Sequence, residues 1–128
     1  MPVLRVLVAE DYESSRESTI EVIRGALSAA SVIEAATGAA ALEALLQSVP
    51  EIAVLDFNMP LINGADVIIH YRKQRPEART CFLLYSCVHT NSEHADRIGV
   101  PFLSKPFDIN DLRAYMRRFV EQILQHAE

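Results

Sequence analysis

Acidic, hydroxyl and basic side chains occur in this sequence directly after short apolar runs. Glu10 and Asp11 follow VLRVLVA, Asp56 follows IAVL, Ser86 follows TCFLLY, and Lys105 stands two residues beyond VPFL. If the runs are strands of one open parallel sheet, these positions mark the carboxyl ends of the strands, where such sheets bind ligands. Three carboxylates, one hydroxyl and one ammonium would then converge. Close carboxylates repel by roughly several kcal/mol per pair at an effective dielectric of about 20, so they take up protons or share a cation. Mg²⁺ suits this demand, because it accepts one or two carboxylates, keeps several waters and leaves positions for phosphoryl oxygens. An anionic phosphodonor could then approach an anionic nucleophile, with Lys105 neutralising a second phosphoryl oxygen and the Ser86 hydroxyl donating to a third. The chemistry this set could perform is phosphoryl transfer through positioning and charge stabilisation.

The elements that must position these residues are legible from periodicity. Val3 to Ala9 is a nearly continuous β-branched run, the pattern of a strand covered on both faces, and Ser31 to Ala36, Ile52 to Leu55 and Thr80 to Tyr85 repeat it. Val100 to Leu103 is a shorter fifth strand whose Pro101 suits an edge or a strand start. Helical segments lie between: Ser14 to Ala30 with Ile20, Ile23, Ala26 and Leu27 on one stripe, Ala39 to Gln47 after Gly38, and Ala65 to Gln74 with Val67, Ile68 and Tyr71. The last helix begins at a capping Asp108 and repeats Ile109, Leu112, Met116, Phe119, Val120 and Ile123, leaving Arg113, Arg117 and Arg118 on a solvated face. This alternation predicts one α/β domain over residues 1–128, with a central parallel sheet between helical layers and right-handed crossovers.

Composition excludes several classes. A formal net charge of −5 argues against direct nucleic-acid binding, which needs clustered cations. No apolar stretch reaches the ~20 residues of a membrane span and the N-terminus lacks a signal-peptide pattern, so a soluble, cytoplasmic protein is expected. Cys81 and Cys87 belong to one run, about 20 Å apart if it is extended, too far to pair. They are expected to be buried thiols in a reducing compartment. His70, His89, His94 and His126 show no metal-ligand spacing and are expected on the surface or in packing.

The order of these motifs resembles the receiver domain of two-component response regulators. The acidic pair Glu10-Asp11, the loop Asp56-Phe57-Asn58-Met59-Pro60 running to Gly64, Ser86 at the Ser/Thr position, Ser104-Lys105-Pro106-Phe107 and the aromatic Phe102 each match the family pattern. The resemblance spans nearly the whole chain. It implies a doubly wound three-layer sandwich with strand order 2-1-3-4-5 and helices on both faces. It implies that Asp56 is the phospho-acceptor, that Asp11, Asp56 and the Asn58 backbone carbonyl ligate Mg²⁺ directly, and that Glu10 contributes through water. Ser86 and Lys105 would hold phosphoryl oxygens, the Lys105-Pro106 bond would be cis, and Ser86 and Phe102 would form the switch.

Further consequences of the resemblance are a sensor histidine kinase or histidine phosphotransfer protein as donor, and a downstream effector protein or domain as output. The protein would act as a phosphorylated switch rather than as an enzyme, with at most self-phosphorylation from small donors and autodephosphorylation. Three departures stand out. Only VHTNSEHADRIG separates Cys87 from Val100, so the fourth helix is expected short or irregular. Phe102 lacks the hydroxyl of the tyrosine often found at its position, and Cys87 replaces a smaller residue beside Ser86. An unphosphorylated docking module is the alternative reading, opposed by the intact acidic set. A flavin-binding module would need hydroxyls or glycines where Glu10 and Asp11 repel phosphate, and a haloacid-dehalogenase-type phosphatase would need an acid at Asn58.

Overall fold

The computed structural model describes residues 3–88 and 91–126; His89 lies outside them. Five strands and five helices alternate: β1 (Arg5–Ala9), α1 (Glu13–Ala26), β2 (Ser31–Ala35), α2 (Gly38–Ser48), β3 (Ile52–Asp56), α3 (Gly64–Gln74), β4 (Cys81–Ser86), α4 (Ser92–Ile98), β5 (Phe102–Ser104) and α5 (Ile109–His126). All strand pairs are parallel and the order is β2-β1-β3-β4-β5, as expected.

Alternate residues of each strand feed two cores, because side chains of a strand point to opposite faces. Leu7, Ala53, Leu55 and Leu84 pack beneath Ala41 and Leu45 of α2, Val67, Ile68 and Tyr71 of α3, and Ala95 of α4. Val6, Val8, Val54, Leu83 and Tyr85 pack against Ile20 and Ile23 of α1 and Leu112, Met116 and Phe119 of α5. The central β3 is buried at every position, which explains why its sequence is apolar without alternation. On the edge, β2 instead exposes Ser31 and Glu34.

Capping follows the sequence. Thr37 Oγ1 accepts from Ala40 N–H at the start of α2 and Asn63 Oδ1 from Asp66 N–H at the start of α3. Asp108 Oδ1 accepts from Asn110 N–H, as its expected capping role requires.

Several boundaries moved. The first strand starts at Arg5 rather than Val3, where Arg5 is fixed by Glu51 at 2.7 Å. The first helix stops at Ala26 rather than Ala30; Gly25 weakens its last turn, and the chain then turns into β2 through Ala30 N–H to Leu27 O. The fifth strand begins at Phe102, since Pro101 has no N–H to give and offers only its carbonyl, to Leu84 N–H. The fourth helix has seven residues, the predicted shortening. The expectation that both cysteines are buried fails: Cys81 begins β4 half-buried and Cys87 is exposed just past its end. Among the described histidines, His70, His94 and His126 are exposed, and the His94 ring lies 5.0 Å from that of Phe57.

Candidate phosphoryl and metal site

The carboxyl ends of β1, β3, β4 and β5 bring the predicted residues together. After β1 the chain is held by Glu10 N–H to Ala35 O at 3.0 Å, while Arg16 of α1 donates to Glu10 O at 2.9 Å. These contacts turn the Glu10 side chain inward, where it is 2% exposed. Its Oε2 accepts from Tyr85 Oη at 3.3 Å and from Lys105 Nζ at 3.1 Å. Asp11 stays exposed, and Tyr12, the N-cap of α1, makes no side-chain capping bond.

Asp56 closes β3 with 5% exposure. Its Oδ1 accepts from Asn58 N–H at 3.1 Å, and its Oδ2 lies 3.4 Å from Lys105 Nζ. Glu10, Asp11 and Asp56 each place one carboxylate oxygen within 4.8 Å of the others. Lys105 is therefore no free surface charge: its ammonium bridges two carboxylates and sits 4.4 Å over the Tyr85 ring. Its N–H bonds Ser86 O at 2.8 Å, and the Lys105-Pro106 peptide is cis, as the resemblance implied.

Electrostatics follow from this crowding. Burial, followed by the nearness of Glu10, pushes the Asp56 carboxyl up to about 7, against the opposing pull of Lys105 and the Asn58 N–H. One ammonium thus fails to balance the buried negative charge. Burial also raises Tyr85 above the usual phenol range, with Glu10 and Asp56 adding to the effect, so its hydroxyl remains a donor. An all-oxygen donor set with excess negative charge fits a hard divalent cation.

Ser86, fully buried, does not bond Asp56 directly. Its Oγ is within reach of Asn58 Nδ2 at 2.8 Å, Val88 N at 3.0 Å and Asn91 Nδ2 at 3.0 Å. Phe102 pairs with Leu84 across β4 and β5 and packs half-buried against the α2–α3–α4 core. Gly64 has no left-handed backbone, but a Cβ there would stand 2.5 Å from Asp56 O and 2.8 Å from Leu84 Cδ2. Close approach of α3 to the end of β3 is what demands glycine.

Sequence reasoning missed Tyr85, Arg16 and Asn91. Tyr85 was hidden inside an apolar run, although a tyrosine hydroxyl buried beside an acidic strand end needs a partner, and that was a usable signal. The contacts of Arg16 and Asn91 carry no local signature.

A large cavity of about 1010 Å³, lined by Glu51, Phe82, Val100 and Phe119 among others, lies toward the opposite, amino-terminal ends of β3 and β4. The carboxylate cluster is not part of it.

Residues 6–117 match the family described as response regulator receiver domain. The chain belongs to that family. Its similarity to the probable transcriptional regulatory protein NarL of Mycobacterium tuberculosis is 34% identity over 80 residues, 62% of this chain and 37% of that protein. With transcriptional regulatory protein PrrA of the same organism it shares 29% over 119 residues, 92% of this chain and 50% of the relative. The receiver thus spans half or less of these regulators. Among solved structures, the receiver domain of AraT from Geobacillus stearothermophilus superposes with a TM-score of 0.85 at 26% identity, covering 99% of this chain and all of that one. The signal receiver domain of NarL from M. tuberculosis gives 0.77 at 28% identity, covering 98% and 99%. Among the described residues no helix is long and apolar enough to cross a membrane.

Proposed function

We propose that this receiver is a phosphorylation switch in which Asp56 accepts a phosphoryl group from a phosphohistidine of a sensor kinase or phosphotransfer protein. The observation that carries the reading is the placement of Asp56 at the mouth of β3, buried, 3.4 Å from Lys105 and clustered with Glu10 and Asp11. An Asp56 carboxylate oxygen attacks phosphorus, the new O–P bond forms as the donor's N–P bond breaks, and the electron pair leaves on the imidazole.

Asp11, Asp56 and the Asn58 carbonyl would hold Mg²⁺, with Glu10 reaching it through water, and the ion would neutralise charge between nucleophile and phosphodonor. Lys105, already beside Asp56, stabilises an equatorial phosphoryl oxygen, and the Ser86 hydroxyl donates to another. Movement of Ser86 toward the phosphoryl group opens space for Phe102 to turn inward, which alters the surface offered to an effector. Burial of Phe102 is the favoured end state because it has no hydroxyl to seat at the surface. The relatives are named as transcriptional regulators, which supports an output coupled to transcription through another domain or partner.

Intact-mass measurement after incubation with acetyl phosphate and Mg²⁺ tests the reading. Wild type should gain one phosphoryl unit, and Asp56→Asn or metal-free protein should not. An unmodified wild type, with acetyl phosphate and with a phosphorylated kinase alike, leaves the docking-module alternative.

A further inference from the structure

Ser86 ends β4 fully enclosed, and among the described residues its hydroxyl meets three groups: the Asn58 and Asn91 carboxamides and the Val88 N–H. A hydroxyl has one proton and two lone pairs. The Val88 N–H can only donate, so it occupies one lone pair. The two carboxamides complete the set when one donates its N–H and the other turns its oxygen to receive the Ser86 proton, the two amide orientations being interchangeable. The capacity of the hydroxyl is then filled. To donate to a phosphoryl oxygen, Ser86 must give up a partner.

Asn91 is the partner that belongs to the fourth helix. It immediately precedes α4, yet its backbone is helical (φ −68, ψ −12) rather than extended, and its side chain makes no capping bond. A capping Asn would adopt an extended backbone and serve the free N–H groups of the first turn. Here its amide reaches 3.0 Å to Ser86 instead, while its own N–H bonds Val88 O at 3.1 Å. Ser86, Val88 and Asn91 thereby close a hydrogen-bonded circuit between the end of β4 and the start of α4.

We propose that Asn91 is a positioning residue for phosphoryl acceptance: its amide, turned to receive the Ser86 proton, holds the hydroxyl in a resting orientation, so that Ser86 donates to a phosphorylated Asp56 by releasing the start of α4. This rests on the phospho-acceptor reading and assigns the short fourth helix a part in it. The Asn91 amide sets the balance between resting and phosphoryl-bound arrangements, and it links α4 to the chemistry.

The test is the rate at which acetyl phosphate labels Asp56 at fixed Mg²⁺, followed by intact mass. Asn91→Ala, and Asn91→Leu as a variant of similar size, should label about fivefold faster, the worth of one neutral hydrogen bond. In a Ser86→Ala background the same changes should have no effect on the rate, because the amide acts through that hydroxyl. Hydrogen exchange of α4 amides should rise in the Asn91 variants. An unchanged or slower rate overturns the inference, as does equal acceleration when Ser86 is absent. If wild type takes up no phosphoryl group, the acceptor reading falls and this inference with it; if wild type labels normally and the Asn91 variants match it, only the inference falls.

Discussion

Lys105 holds its ammonium 3.4 Å from the Asp56 carboxylate although the two residues are separated by 49 positions in sequence. The same nitrogen is 3.1 Å from Glu10, so one ammonium occupies the position between two buried acids.

Removing that cation should separate metal binding from phosphorylation. Lys105→Ala leaves the carboxylates without their ammonium, and Mg²⁺ should bind about fivefold tighter, roughly 1 kcal/mol for a partly exposed ion pair. Phosphorylation from acetyl phosphate should nevertheless fall, because a stabilising partner of the phosphoryl oxygens is gone. Titration calorimetry and intact mass read the two effects; weaker Mg²⁺ binding would show that Lys105 orders the site rather than competing for it.

The raised Asp56 carboxyl fixes a pH dependence. Its folded value of about 7 exceeds the ordinary aspartate value of 3.8, so the folded protein binds this proton more tightly than the unfolded chain. Metal-free protein should therefore lose this contribution to stability as pH rises through the window between those values. Asp56→Asn should be more stable than wild type in EDTA at about pH 8, with the gap closing as pH falls below the folded value. Added Mg²⁺ should stabilise wild type far more than the variant. Urea denaturation across pH checks each arm.

Gly64 marks where α3 approaches the acceptor strand. Gly64→Ala forces its Cβ to 2.5 Å from Asp56 O, and the backbone must shift. A loss of about 1–3 kcal/mol in urea denaturation is expected, as for other overpacked sites. Phosphorylation should slow as well, because the strained atom belongs to the nucleophile's own residue. A neutral result would mean that the loop yields freely.

The chain contains no tryptophan, so Phe102→Trp creates a single reporter. Addition of beryllofluoride with Mg²⁺, a phosphoryl mimic, should shift its emission to the blue as the ring turns toward the core. Mg²⁺ alone should leave the spectrum in place. A spectrum unmoved by the mimic would remove Phe102 from the switch.

Much of this architecture was legible in the sequence because burial on both faces leaves a continuous apolar run. Val6, Val8 and Val54 face one helical layer, Leu7 and Leu55 the other, and neither face tolerates charge. The ends of elements were less legible. Pro101 shortened β5 and Gly25 shortened α1 through backbone effects that compete with periodicity, and Cys87 is exposed because β4 ends one residue before it.

The site divides in the same way. Glu10, Asp11, Asp56, Ser86 and Lys105 could be named from the sequence, since each follows an apolar run and a parallel sheet gathers all strand ends on one side. Side-chain direction could not be read there. Tertiary structure alone decided that Glu10 turns inward to Lys105 and Tyr85 while Asp11 faces solvent, and that Ser86 is engaged by Asn58 and Asn91. Sequence pattern records which residues must be buried, a property summed along each element. Hydrogen-bond pairing instead depends on angles and distances between elements far apart in the chain, and only the packed sheet and helices set those.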